Sequence, residues 1–359
     1  FGDNMLLNLN VEVSDPIDIA TRAVDPDGRT LQTLHLFCFD ANGLFITTSP
    51  ATIKSQDSDQ LSGTFSAVVP KTTRIIHLLG NQNMSVFDKN AYAYKSEDDV
   101  LSALEGSAGM LIYWARIEAP TNISQMYTDA VYTIEDDGKT IDERTDAEAF
   151  VDWLTIETNP TDSKHRNVAG KGHPIVMLRN QARFTIVSEG DGADKNDPWK
   201  GDFFEVTGFV LTNTPAFGTV APYDVDYGFP TYTWSEQPAS AFTVNEWLEG
   251  GKVTSPARTD KISDVVDVVN SREQFIFESN NLGTDPVDLI LRGRNIKNGV
   301  PGEERYFYRV NLIYDDDAKD KSYFEGDFVK ILRNHHYELH ITDNLTNGCE
   351  TFEEALVAP

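Results

Sequence analysis

The first residues of the chain alternate strictly between apolar and polar side chains. The apolar positions are Leu7, Leu9, Val11 and Val13. Asn or Glu stands at each position between them. A hydrophobic period of two is typical of a β-strand that buries one face. The sequence therefore predicts a core strand close to the beginning of the chain.

Strand patterns recur along the rest of the chain. Predicted strands cover 6–13, 33–40, 64–70, 74–81, 110–118, 130–136, 176–188, 203–213, 274–279, 288–294, 305–315 and 336–343. They are separated by turn sequences rich in Asp, Asn and Gly, such as DANG and EDDG. Two segments predict short helices instead, SEDDVLSALEG (96–106), with Ser96 as N-cap, and TDAEAFVDWL (145–154). The predicted fold class is therefore mostly β.

A polar stretch near the middle, TNPTDSKHRNVAGKGHP (158–174), predicts a linker between two domains. A chain of 359 residues is long enough for two domains of ordinary size. We expect an N-terminal domain over 1–174, which contains the first strand and the helices, and a C-terminal domain over 175–359, which ends in a tail. The alternation in many strands favours antiparallel β-sandwiches.

Charge and composition narrow the classes of partner. Acidic residues number 57 against 30 basic ones, which gives a net charge of −27. Such a charge argues against binding to nucleic acid or to anionic lipid. No apolar run is long enough to span a bilayer. The chain begins with Phe, which we interpret as removal of a leader, either on export or in the preparation of the protein. Two cysteines, Cys38 and Cys349, indicate neither a disulfide framework nor a metal site.

One strand carries a candidate metal-binding pattern. In RNHHYELHITD (333–343), His336, Glu338 and His340 share one face of the predicted strand. This set could bind zinc in a hydrolase, or it could be the solvated face of a sandwich strand. No phosphate-binding loop or Gly-x-Ser-x-Gly motif is present. We therefore predict no catalytic residue, no metal and no cofactor, and we do not expect an enzyme.

A second candidate site is an aromatic segment, APYDVDYGFPTYTW (221–234). Its density of aromatic residues, Gly and Pro favours a long loop. Rings in such a loop could stack on sugars or contact host or bacterial surface ligands, or they could pack on one another. The candidate contact residues are Tyr223, Tyr227, Tyr232 and Trp234. A glycan-binding surface lipoprotein of a polysaccharide-uptake system is therefore an alternative function.

Five segments together resemble the fimbrillins, the pilins of Bacteroidia fimbriae and related tip and anchor proteins. In chain order they are the opening strand followed by ATRAV and LQTLHLFCFDANGLF, then KTTRIIHLLGNQN, GMLIYWARIEAP, PIVMLRNQARFTI and GDFVKILRNHHYELHIT. The last is similar to the Lys-x-x-x-Arg-Asn-His closing strand of that family. The five segments span nearly the whole chain in the family's order.

The resemblance implies a fold and a mode of assembly. The fold would be two transthyretin-like β-sandwich domains, on a precursor that is exported as a lipoprotein and contacts the membrane only through an N-terminal lipid anchor. An arginine-specific protease would cut between Arg22 and Ala23 and remove about residues 1–22. A strand from another pilin subunit would fill the vacated groove and so build a fimbrium that supports adhesion at the outer membrane. On the residues alone, Arg22 could equally be a solvated arginine in a link.

The C-terminal tail departs from the family pattern. Shaft subunits of the family end in a strand-length appendage that serves as the donor. Here the tail is NLTNGCETFEEALVAP, in which Phe352, Ala355 and Leu356 do not alternate with polar residues. This leaves shaft, tip and anchor subunits as open alternatives.

Overall fold

The computed structural model describes residues 2–13, 30–107, 111–120, 145–158, 174–188, 202–215, 217–222, 266–267, 273–278, 286–312, 331–341, 345–346 and 348–357. The chain forms two compact units. Unit 1 is Phe1–Asn180 with Thr219–Thr254, and unit 2 is Gln181–Gly218 with Ser255–Pro359.

Both units are mostly β, as the sequence predicts. In the described residues the elements are β1 (Asn4–Val13), β2 (Leu34–Phe39), β3 (Phe45–Pro50), β4 (Thr52–Gln56), β5 (Ser62–Pro70), β6 (Ile75–Gly80), α1 (Glu97–Leu101), β7 (Glu105–Ser107), β8 (Tyr113–Glu118), α2 (Asp146–Thr158), β9 (Ile175–Arg179), β10 (Gln181–Ser188), β11 (Phe203–Thr212), β12 (Phe217–Thr219), β13 (Val266–Asp267), β14 (Glu273–Phe277), β15 (Asp288–Lys297), β16 (Val300–Pro301), β17 (Arg305–Asn311), β18 (His336–Ile341) and α3 (Phe352–Val357).

Unit 1 is built on an eight-stranded sheet with the order β3-β2-β6-β8-β9-β1-β5-β4. Its neighbouring strands are antiparallel except for β1 and β9, which run parallel. Aromatic side chains of β2 and β8, such as Phe37 and Trp114, form a core with Val100 and Leu101 of α1. The N-cap prediction for α1 is confirmed, because the Ser96 side chain accepts a hydrogen bond from the Asp99 amide.

Unit 2 is a sandwich of two sheets. One has the order β14-β10-β18 and the other β13-β11-β15-β16, with β17 also paired to β15. The core between them contains Phe184 and Ile186 of β10, Phe204 of β11 and Leu289 of β15. Ala355 of α3 forms a second apolar cluster with Val210 of β11 and Ile290 of β15. The second sheet is therefore covered on both faces. Strands β10 and β18 form the parallel pair of this unit.

Several elements differ from the sequence predictions. The predicted strand 176–188 breaks at Asn180, whose backbone and carboxamide both bond to Ile112. Strands β3 and β4 are rich in Thr and Ser and half-buried or exposed over most of their length, so they lack an apolar alternation. Helix α3 lies in the tail, where no helix is predicted. The predicted strand 130–136 lies outside the described residues.

The predicted domain boundary at residues 174 and 175 stays a prediction. Nearly all of the predicted linker lies outside the described residues. Strand β9, which begins at Ile175, pairs with β1 and β8 within unit 1, and unit 1 continues to Asn180. No helix in the described part of the chain is long and apolar enough to cross a membrane.

Both cysteines are free, and only one of them is fully buried. Cys38 lies in β2, and burial raises its pKa to about 12. A thiol reagent should therefore label Cys349 in the native protein near neutral pH and label Cys38 only after unfolding, because the thiolate is the reacting species. Mass spectrometry of the labelled protein counts the modified cysteines. Equal labelling rates in the native state would contradict this, and a Cys349→Ser variant should show no rapid labelling.

Candidate functional site

Strand β1 occupies an interior position in the sheet of unit 1. It pairs antiparallel with β5 from Asn4 opposite Pro70 to Glu12 opposite Ser62. On its other side, Val11–Val13 pair in parallel with β9. Beyond the paired residues, the Val13 amide donates to the Leu61 carbonyl at 2.8 Å. The first strand of the chain is thus an integral part of the sheet.

The side chains of β1 divide into a buried and an outward face, as the alternation predicts. Leu7, Leu9, Val11 and Val13 are each exposed by 1% or less. On the same face, β5 contributes buried residues directly opposite, such as Phe65 and Val69. The other face is open, with Leu6 exposed by 44% and Asn8 also exposed.

The sheet order makes β1 a structural link. It is the strand that joins β5 and β4 to the other five strands of the sheet. Without β1, the backbone groups of β5 and β9 that it bonds would lose their partners. Unpaired edges of this kind are templates for another strand. Removing β1 would therefore leave a groove flanked by two strand edges.

The burial free energy of the β1 side chains indicates how much this strand contributes to the stability of unit 1. Burying the four aliphatic side chains is worth about 6–12 kcal/mol, at about 1.5–3 kcal/mol each. This is comparable to the net stability of a whole domain, about 5–15 kcal/mol. Helix α2 lies beside β1, and its Ala149, Phe150 and Leu154 are buried. Loss of β1 would consequently expose apolar surface on neighbouring elements as well.

The segment 14–29 connects β1 to the rest of unit 1. The residues on either side of this segment are anchored at one turn, because Val13 donates to the Leu61 carbonyl and Leu31 donates to the Gln60 carbonyl at 2.9 Å. A cut within this segment would leave both anchors in place and hold β1 by non-covalent contacts alone. Arg22 and Ala23 themselves lie outside the described residues, so the processing site stays a prediction.

A buried polar cluster also lies in unit 1, and the sequence analysis did not identify it. His77 on β6 is fully buried and lies opposite Arg116 of β8. Its Nε2 lies 2.6 Å from Glu97 Oε2, and its Nδ1 accepts from Trp114 Nε1 at 2.9 Å. Arg116 forms two further bonds to Glu97, at 2.6 and 3.0 Å. Both ring nitrogens of His77 are thus engaged, which indicates a structural role for the cluster.

The electrostatics of the cluster agree with this role. Burial alone would raise the pKa of Glu97, but hydrogen bonds from His77 and Arg116 outweigh it and hold the pKa at about 2. Burial lowers the pKa of His77, although the Glu97 carboxylate opposes the shift. Glu97 is therefore a carboxylate near neutral pH, and His77 is neutral. Through Glu97, the cluster connects α1 to His77 of β6 and to Arg116 of β8 by hydrogen bonds.

The other candidate residues of the sequence analysis are placed as follows. His336, Glu338 and His340 lie on β18 with Glu338 and His340 exposed, and His336 Nε2 lies 2.6 Å from Thr185 Oγ1. Among the described residues, no three His, Cys, Asp or Glu side chains are grouped to hold a metal ion. The aromatic candidates lie outside the described residues, so ligand contact there stays a prediction. These residues are Tyr223, Tyr227, Tyr232 and Trp234.

Solved structures of fimbrial proteins match the chain over most of its length. The tip fimbrial protein Mfa3 of Porphyromonas gingivalis, solved with a C-terminal truncation, is 11% identical with a TM-score of 0.45 over 96% of both chains. The fimbrilin FimA of the same species is 14% identical with a TM-score of 0.43, over 96% of this chain and 91% of its own. A fimbrial assembly protein of Parabacteroides distasonis is 11% identical with a TM-score of 0.40, over 94% and 90%. These proteins come from the group that the sequence segments resemble.

No protein-family model and no curated protein matches the chain.

Truncating a buried side chain of β1 should destabilise unit 1. Leu9→Ala leaves a cavity at a fully buried position, so we expect the free energy of unfolding to fall by about 2–5 kcal/mol. Asn8→Ala on the exposed face is the matched control and should change it by no more than about 0.5 kcal/mol. Urea denaturation of both variants measures the difference. Similar losses in the two variants would contradict the two-faced description of β1.

Neutralising Glu97 should have a pH-dependent effect. Because its pKa lies below the ordinary value of 4.5, the carboxylate stabilises the fold fully above pH 4.5, and this stabilisation is lost as the pH falls towards 2. Glu97→Gln should lower the free energy of unfolding by about 3 kcal/mol at neutral pH, and by progressively less below pH 4.5. Denaturation across this pH range tests it. Glu118→Gln is the control, since Glu118 bonds the same Arg116 from a half-exposed position. A loss of unfolding free energy in Glu97→Gln that stays the same at every pH would contradict the low pKa of Glu97.

Proposed function

We propose that the chain is a fimbrial subunit that polymerises by donor-strand exchange after its N-terminal strand is removed by proteolysis at Arg22. The observation that carries this proposal is the position of β1. It is the opening strand, it lies between two strands of one sheet, and its alternate side chains are fully buried. The sequence resemblance to fimbrillins supplies the mode of assembly.

Removal of β1 leaves unpaired backbone groups and exposed apolar side chains, and a strand of a second chain can bind to both. The groove then presents apolar side chains together with the freed backbone groups of β5 and β9. A strand that alternates apolar and polar residues restores both kinds of contact. Backbone hydrogen bonds give such a complex its affinity, and the alternate side-chain pockets give it one register. A shift by one residue would place polar side chains in the groove, so the register is strongly specified.

The partners and the location follow from this mode of assembly. The direct partners are other pilin subunits, each supplying a strand, and an arginine-specific protease that acts on the precursor. The assembled protein is an extracellular fimbrium at the outer membrane, and the precursor is held there by a lipid on its N-terminus. The fimbrium supports adhesion to host or bacterial surfaces.

Limited digestion tests the proposal. An arginine-specific protease should cut first after Arg22, and the cut protein should form multimers that survive electrophoresis without boiling. Multimers form because the vacated groove accepts a strand of another copy or of a co-pilin. N-terminal sequencing identifies the cut, and an excess of the synthetic peptide Gly2–Val13 should block the multimers. The same peptide with Leu9→Asp should not block them.

Two variants provide the control. Arg22→Ala should prevent both the cut and the multimers, whereas Arg29→Ala in the same connecting segment should leave both unchanged. A protein that loses residues 1–22 and stays monomeric and fully folded, with and without co-pilins, would overturn the proposal.

A further inference from the structure

Helix α2 forms one wall around β1. It lies beside the strand, and its Phe150 and Leu154, which stand one turn apart, are exposed by 1% or less. The other described walls are β5 and β9, which pair with β1 through their backbones. The backbone hydrogen bonds of a helix lie within it, so α2 can move away from β1 without breaking any strand pairing.

Arg74 holds the N-terminal half of α2 by its side chain. Its guanidinium carbon lies 5.9 Å from the centre of the Phe150 ring, which is within the range of a cation–π contact. Its Nη2 lies 3.7 Å from an Asp146 carboxylate oxygen at the first residue of the helix. The Asp146 side chain is 72% exposed, so this ion pair is weak. Phe150 is fully buried, and the ring contact is therefore the stronger of the two.

Arg74 is itself firmly held, so it can act as a fixed support. Its amide donates to the Phe39 carbonyl and its carbonyl accepts from the Ala119 amide, both at 2.9 Å. Its Nη1 donates to the carbonyls of Lys71 and Thr73, at 2.8 and 2.7 Å. The backbone and the guanidinium of Arg74 are thus each fixed by two hydrogen bonds.

The turn between β5 and β6 carries Arg74 and also holds the beginning of β1. Where this turn begins, Pro70 lies opposite Asn4 in the register of β5 and β1. At the next residue, the Lys71 amide donates to the Asp3 carbonyl at 2.9 Å. The same turn therefore contacts both the strand and the helix beside it, which gives the two elements a shared support.

We propose that α2 is a movable wall of the β1 groove and that Arg74 is the positioning residue that keeps this wall closed. Strand β1 leaves only after α2 has moved off Arg74, because the sheet pairing of β5 and β9 holds the other sides. An alternating strand of a second subunit then pairs with β5, and α2 closes over it. The exchange step rests on the proposed function, whereas the coupling of α2 to β1 does not.

Hydrogen exchange on the intact chain tests the coupling. In Arg74→Ala, the amides of Ala149 in α2 and Leu9 in β1 should both exchange about fivefold faster, the factor expected for loss of one cation–π contact and one weak ion pair. Lys71→Ala is the matched control, because it removes an exposed cation from the same turn and should change neither rate. Arg74→Lys keeps a cation near the ring, so its rates should lie between those of Arg74→Ala and the unaltered protein.

The dependence of exchange on urea separates a movable wall from a general loss of stability. At low urea, Ala149 and Leu9 should exchange through an opening that depends only weakly on urea, and Ala149 should be no better protected than Leu9. Leu78 of β6, which is paired on both sides, should exchange with the urea dependence of complete unfolding. Faster exchange at Ala149 alone in Arg74→Ala, or exchange of Leu9 by complete unfolding only, would contradict the proposal.

Peptide capture tests the consequence for strand exchange. The probe is a fluorescent synthetic peptide, Gly2–Val13, added to protein that has been cut at Arg22 and followed by anisotropy. Capture should be about fivefold faster in Arg74→Ala and about twofold faster in Asp146→Asn, which loses only the exposed ion pair. Lys71→Ala should capture the probe at the unaltered rate.

Equal capture rates in all these proteins would overturn the role of Arg74. If no protein captures the probe, strand exchange itself is wrong, and the hydrogen-exchange rates still decide whether Arg74 couples α2 to β1. Asp146→Asn changes an exposed side chain and provides the same test if Arg74→Ala does not fold.

Discussion

A strand inside a sheet cannot leave without breaking contacts on two sides and beneath it, and this constraint governs unit 1. The backbone of β1 bonds to β5 and β9, and its odd-numbered side chains fill the core. Water can hydrogen-bond the freed backbone groups, but it cannot replace the apolar contacts, so loss of β1 would expose apolar surface at a large cost in free energy. The stability of unit 1 and the strand exchange that we propose for it therefore have the same physical origin.

Local patterns predict the strands far better than they predict the pairing. The alternation from Leu7 to Val13 is sufficient to identify β1 and its buried face. Nothing near residue 175 indicates that β9 lies parallel to β1, because that pairing depends on how the whole unit folds. Strands β3 and β4 escape prediction because their exposed Thr and Ser residues carry no hydrophobic period. The sequence thus predicts the strand that fills the candidate groove, but not the strands on either side of it.

Helix α3 and the buried polar cluster left signals in the sequence. In the tail, Phe352, Ala355 and Leu356 have helical spacing, and Thr351 with Glu354 forms a capping box in which each bonds the other's backbone amide. His77 and Arg116 each interrupt an apolar strand, which marks a buried polar residue in need of a partner. Their partner Glu97 could not be inferred, because only the fold brings the first turn of α1 beside β6 and β8.

Val13 and Leu31, the described residues on either side of the connecting segment, bond to Leu61 and Gln60, and this has a kinetic consequence. While the chain is intact, β1 is covalently tethered beside its own groove, which gives it a high effective concentration there. A strand from another molecule must compete with that concentration and rarely succeeds. A single cut turns the competition into a bimolecular one, in which the outcome depends on how many subunits are nearby. Under the proposed function, the local concentration of subunits, rather than any new contact, would then decide when assembly starts.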